Sequence, residues 1–146
     1  MERRYALVTA GAQGLGRAIV QHLAHQQYGL FIHYYTSHQD AVALQEAMTA
    51  AGGEAYIIRA DLSQSAERER VLQYVASVTP CLHVLINNLG WYAIERLPTI
   101  TLEQWERALA LNCTAAFHLT QLALPLLEAA SPPRRIINLG DSGCDR

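Results

Sequence analysis

Short apolar runs alternate along this chain with longer stretches in which apolar residues recur every three or four positions. YALVT (5–9), GLFIHYY (29–35), EAYIIRA (54–60), HVLINN (83–88) and RRIINLG (134–140) read as strands. Between them, LGRAIVQHLAHQQ (15–27) has helical spacing, with Leu15, Ile19 and Leu23, or Ala18 and His22, sharing faces. AVALQEAMTAAGG (41–53) sets Ala41, Leu44, Met48 and Ala51 on one stripe and ends in glycines, a helix-stop signal. SAERERVLQYVASV (65–78) turns Val71, Leu72, Val75 and Val78 inward. TLEQWERALALNCTAAFHLTQLALPLLEAA (101–130) predicts one long helix. Thr101 and Gln104 form its capping box, Trp105, Leu109, Ala116, Phe117, Thr120 and Leu124 trace a face, and Pro125 is placed to kink its end.

Five strands separated by four helices call for right-handed crossovers and a parallel sheet. The expected fold is α/β: a doubly wound, Rossmann-like, three-layer α/β/α sheet with strand order 3-2-1-4-5. Ligands in such sheets lie beyond the carboxyl ends of the strands. The segments to inspect are therefore 9–16, 33–37, 61, 87–92 and 140–143.

The chain has 146 residues, suiting a single domain over 1–146. It is 51% hydrophobic, enough for a real core. A net charge of −2 offers no attraction for nucleic acid. The N-terminal apolar run is broken by glycine too early for a signal peptide or membrane span, so a cytoplasmic, non-membrane protein is expected. Cys81, Cys113 and Cys144 are widely spaced and odd in number, which points to reduced thiols. His22 and His25 share a helix, but with no evident third ligand no metal site is expected. All 11 basic residues are arginine; there is no lysine.

The first strand tip reads VTAGAQGLG (8–16). Glycines between a strand and a helix let the backbone approach a pyrophosphate, whose charge the helix N-terminus stabilises. This segment resembles the TGxxxG[IL]G cofactor motif of the short-chain dehydrogenase/reductase family. Asp61-Leu62 after the third strand, Asn87-Asn88-Leu89-Gly90 after the fourth, and Asn112 within the long helix agree with that family in order and spacing. The resemblance spans essentially the whole chain. It implies that Thr9, Gly11, Gly14, Leu15, Gly16, Asp61, Leu62, Asn87 and Gly90 contact a nicotinamide dinucleotide. Two positions depart from the pattern. Ala10 fills the first glycine slot, where a positive φ would strain it unless Gly11 takes the turn. Leu89 replaces the usual alanine.

NAD-specific sheets carry an acid on the ribose hydroxyls about 20 residues past the glycine turn. Here the second strand ends HYYTSH (33–38), and no carboxylate appears before Asp40. Thr36 and Ser37 can hydrogen-bond a 2′-phosphate and Arg17 could supply charge, although Arg17 reads by default as a solvated helix residue. NADP(H) is therefore expected over NAD(H).

The resemblance also implies the chemistry. A tyrosine protonates the substrate as hydride arrives, a lysine four residues on lowers the tyrosine pKa, and the helix asparagine, here Asn112, supports a proton relay. This chain has no lysine, and none of its 7 tyrosines follows residue 92. Arginine is no substitute for the lysine. The expectation is that the chain covers the cofactor-binding part, truncated after the fifth strand, and is inactive alone.

By alignment of IINL (136–139), the family's serine position falls on Asp141, with Ser142 as the neighbouring alternative. An aspartate there resembles the pteridine reductase and dihydromonapterin reductase branch, as does HYYTS (33–37). Tyr92 falls where that branch stacks an aromatic on the pterin. Trp91 and Tyr92 serve equally as loop packing, a capping or turn role is the second reading for Asp141 behind its site role, and His33 reads by default as a core histidine. The implied substrate is a small molecule, a pterin or another carbonyl or imine. The long helix, which in this family packs against a partner subunit, and the open edge at 135–139 lead to an expected homo-oligomer. The rival readings are a nucleotide-binding or interaction module without catalysis, and a truncated product with no independent role.

Overall fold

A computed structural model describes residues 3–92 and 95–140. Five strands form one parallel sheet: β1 (Tyr5–Val8), β2 (Gly29–Tyr34), β3 (Ala55–Arg59), β4 (Val84–Asn87) and β5 (Arg135–Asn138). Their order is β3-β2-β1-β4-β5, as the alternation of apolar runs and helical stretches predicts. The order reverses direction between β1 and β4, so the carboxyl ends of β1, β2 and β4 open onto a shared crevice.

The helices are α1 (Gly14–His25), α2 (His38–Ala50), α3 (Ser65–Val78), α4 (Leu102–Leu109) and α5 (Ala115–Ala129). Each face of the sheet has its own core. On one, Val20 of α1 and Leu44 of α2 pack against Ala6, Val8, Leu30, Ile32 and Ile86. On the other, Val71, Leu72 and Val75 of α3 and Ala115, Leu119, Ala123 and Leu127 of α5 pack against Leu7, Phe31, Ile58 and Leu85. All six residues of β2 are buried, which is why that strand reads as a continuous apolar run.

The long helix differs from expectation in two ways. First, Ala110–Thr114 form a π-helical turn between α4 and α5. The wider i→i+5 turn inserts extra backbone and redirects the side chains that follow. Second, the face traced by Trp105, Leu109, Phe117 and Leu124 is exposed, Phe117 to 68%. The buried stripe is Leu111, Ala115, Leu119, Ala123 and Leu127. Periodicity reveals two apolar faces but does not say which one meets the sheet. The helix Leu102–Ala129 is long and apolar enough to cross a membrane by length and composition alone, yet its buried stripe belongs to the core beneath the sheet. It runs through Pro125, and the Thr101–Gln104 capping box closes its start.

Candidate functional site

The β1–α1 turn is built around glycines with distinct duties. A Cβ on Gly16 would lie 2.1 Å from the Ala10 carbonyl oxygen, so the start of α1 packs directly on the turn. Gly11 is crowded by Ile32, Val8 and Val20 at 3.1 to 3.3 Å. Gly14 has φ +52° with nothing within 4 Å of its missing Cβ. It combines a left-handed backbone with open space in front. Ala10 adopts φ 49° itself, so the strain foreseen in that slot is present and is not passed to Gly11.

Three side chains fasten this turn. The buried Thr9 hydroxyl accepts the backbone N–H groups of Asn88 and Leu89, both at 2.9 Å, and is 3.3 Å from the Ile86 carbonyl. Asn88 Nδ2 donates to the carbonyls of Thr9 and Ala10, each at 3.1 Å. His33 Nδ1 accepts from the Ala10 N–H at 3.0 Å, and its Nε2 lies 3.0 Å from the Ala60 carbonyl. With Nδ1 an acceptor, the ring is neutral and carries its proton on Nε2. Burial pushes the His33 pKa down to about 4.

The turn, the end of β2 and the end of β4 enclose a cleft of about 430 Å³. Gln13, Gly14, Leu15, Gly16, Thr36, Ser37 and Gly90 line it, together with Asn88 and Leu89. The N-terminus of α1 opens here with no side-chain cap and no acidic residue in its first turn. Its orphan N–H groups and positive dipole end suit a phosphate, and Gly14 leaves room for it to approach. These residues fit the diphosphate of a dinucleotide.

Other anticipated residues stand differently. Asn87 is buried, and its Nδ2 donates to Asn138 Oδ1 at 2.8 Å and Thr120 Oγ1 at 3.3 Å. Its neighbour Asn88, in the same motif but not among its implied cofactor contacts, reaches the turn. Asp61 closes a local turn, Oδ1 accepting from the Ser63 N–H at 3.0 Å and hydroxyl at 2.7 Å. Leu62 sits in the core. Thr9 lies behind the cleft as its fastening. Asn112, on the π-helical turn, makes a two-way clamp: Nδ2 donates to the Trp91 carbonyl at 2.5 Å and Oδ1 accepts the Trp91 N–H at 2.8 Å. This brings α4–α5 and the loop after β4 together. Arg107 lies over the Trp91 ring at 5.9 Å, and Tyr92 is 74% exposed. Asp141 and Ser142 lie outside the described residues.

Comparison with known proteins agrees with this geometry. The family model for short chain dehydrogenases matches residues 4–143. A rhamnolipid-biosynthesis 3-oxoacyl-[acyl-carrier-protein] reductase of Pseudomonas aeruginosa is 35% identical over 142 residues, covering 94% of this chain and 54% of that protein. A tropinone reductase homolog of Arabidopsis thaliana is 37% identical over 134 residues, covering 89% and 48%. A blue fluorescent protein from a metagenomic library, solved with NADPH, superposes with a TM-score of 0.88 at 31% identity, covering 98% of this chain and 57% of that one. The chain spans about half the length of the curated relatives it matches. With its glycine turn, its 3-2-1-4-5 sheet and a family match across nearly its whole length, the chain belongs to the short-chain dehydrogenase/reductase family.

Proposed function

We propose that this chain is the cofactor-binding portion of an NADP(H)-dependent reductase that transfers hydride to a small carbonyl or imine substrate. The observation that carries the reading is the uncapped, acid-free start of α1 beneath a left-handed Gly14 that faces open space. When bound, the nicotinamide would supply the hydride. The chain's own residues would seat the diphosphate on the Gly14–Gly16 backbone and place the ribose near Thr36 and Ser37. Asn112 would hold the loop after β4 through Trp91, which makes it a positioning residue. The family's tyrosine and lysine are not among these 146 residues, so turnover is not assigned to the chain alone.

A pterin is the narrower substrate reading. It rests on Asp141, on HYYTS (33–37) and on the exposed Tyr92, whereas the relatives compared above are named for oxoacyl and tropinone substrates. A cytoplasmic homo-oligomer is proposed with it, using the exposed Trp105, Leu109, Phe117 and Leu124 face. The rival, a module that binds nucleotide without catalysis, shares the same cleft.

Titration of the 146-residue chain with NADPH, followed by nucleotide fluorescence, tests the central reading. Saturable binding is expected, and Gly14→Val, which fills the open space and strains the turn, should weaken it at least tenfold. Absence of saturable binding by the folded wild-type chain overturns the reading.

A further inference from the structure

One polar contact at the rim of the cleft is unused by the reading above. Gln13, on the glycine turn, donates from Nε2 to Asp40 Oδ2 at 2.7 Å. Gln13 lines the cleft, and Asp40 lies in the first turn of α2, three residues past Ser37, which also lines it. The two side chains therefore bridge the turns that follow β1 and β2. In dinucleotide-binding sheets the ribose next to the adenine sits between these two turns.

The sequence lacks an acid at the end of β2, but the tertiary structure returns one to that neighbourhood from α2. The described lining of the cleft contains no arginine. Arg59 pairs with the cleft-lining Tyr34 across β2 and β3, and its side chain donates from Nε to the Tyr35 carbonyl at 3.2 Å. Arg17, in the first turn of α1, is not part of the lining. The formal charge latched to the rim through a cleft-lining side chain is thus negative. A carboxylate disfavours a nearby phosphate, and a Gln13 amide committed to Asp40 has less to donate to one.

We propose that Asp40, held in place by Gln13, is a specificity-determining residue that weakens binding of the 2′-phosphate and so narrows the preference for NADP(H) over NAD(H). The proposal rests on the cofactor reading of this cleft.

The test is equilibrium titration of the 146-residue chain with NADP⁺ and, separately, NAD⁺. Wild type, Asp40→Asn, Asp40→Ser, Gln13→Ala and the Gln13→Ala/Asp40→Asn double variant are compared. Asp40 lies in the first turn of α2, where its charge also favours the helix; losing that stabilisation alone would change both affinities alike and would not move their ratio. Asp40→Asn and Asp40→Ser should tighten NADP⁺ about threefold to fivefold, the range for a partly exposed charge, and leave NAD⁺ unchanged. The gain should shrink as salt is raised. In the Gln13→Ala background the effect of Asp40→Asn should be smaller, because the carboxylate is no longer latched. An unchanged NADP⁺:NAD⁺ ratio in both Asp40 variants, with nucleotide still bound, overturns the proposal and leaves the cofactor reading intact. An equal Asp40→Asn effect in both backgrounds overturns the role of Gln13. Failure of the wild type to bind either nucleotide overturns the cofactor reading and this proposal with it.

Discussion

The Thr9 hydroxyl holds the Asn88 backbone at 2.9 Å, while the Asn88 side chain returns a hydrogen bond to the Thr9 carbonyl at 3.1 Å. This reciprocal pair joins the carboxyl ends of β1 and β4 at the point where the strand order reverses. Thr9→Val keeps the shape but leaves two backbone N–H groups without their acceptor. The expected cost is about 2 kcal/mol, because Asn88 and Leu89 are only half-buried. Thr9→Ser should recover most of it. Urea unfolding of the three proteins checks this; equal stability of Thr9→Val and wild type would refute it.

Ala10 holds φ 49° without being glycine. A left-handed alanine costs about 1–2 kcal/mol, offset in part by the greater chain entropy of glycine. Ala10→Gly should therefore stabilise the chain by about 0.5–1 kcal/mol, read as a higher midpoint in thermal unfolding. A lower midpoint would show that the methyl group contributes packing that outweighs the strain.

His33 is buried, neutral and shifted down to about 4 from an ordinary value of 6.5. The unfolded chain takes up this proton below about pH 6.5, whereas the native state resists until about pH 4. The unfolded state binds more protons in that window, so stability is full above pH 6.5 and falls as the pH drops toward 4. The loss from this group approaches about 3 kcal/mol. Unfolding free energies measured from pH 7 to 4 should carry this slope, and His33→Gln, though less stable at pH 7, should flatten it. An unchanged slope in the variant would assign the acid sensitivity to other groups.

Asn112 spends both polar atoms of its side chain on the Trp91 backbone. Asn112→Ala should free the loop after β4 and increase quenching of Trp91 fluorescence by acrylamide, at a stability cost of about 1 kcal/mol for this exposed contact. Trp105 is already 56% exposed, so a Trp105→Phe background isolates the signal. Asn112→Asp, which keeps the acceptor and loses the donor, should fall between. Identical quenching in all three proteins would remove Asn112 from its positioning role.

The legible parts of this fold and site were those encoded locally. Apolar runs separated by helical periodicity led directly to the parallel sheet and its order, since right-handed crossovers leave few alternatives. Glycine spacing located the turn, and Thr101–Gln104 marked a helix start. Asp61 and Leu62 follow β3, and Asn88 to Gly90 follow β4, but which side chains reach the cleft was not legible. Asn87 and Asn88 look alike in sequence; alternation along the end of β4 sends the first into the core beside Thr120 and Asn138 and leaves the second to reach the turn. His33 carried no local sign that it would brace the Ala10 backbone.

By itself, then, the sequence determined the architecture, the glycine turn and the family resemblance, because periodicity and turn chemistry act over a few residues. Only the tertiary structure decided which apolar face of the long helix is covered, because both faces have the same local pattern. It also set Asp40 against Gln13 and Asn112 against Trp91. Those contacts join segments about 20 residues or more apart, and only the closing of the sheet brings them within hydrogen-bonding distance.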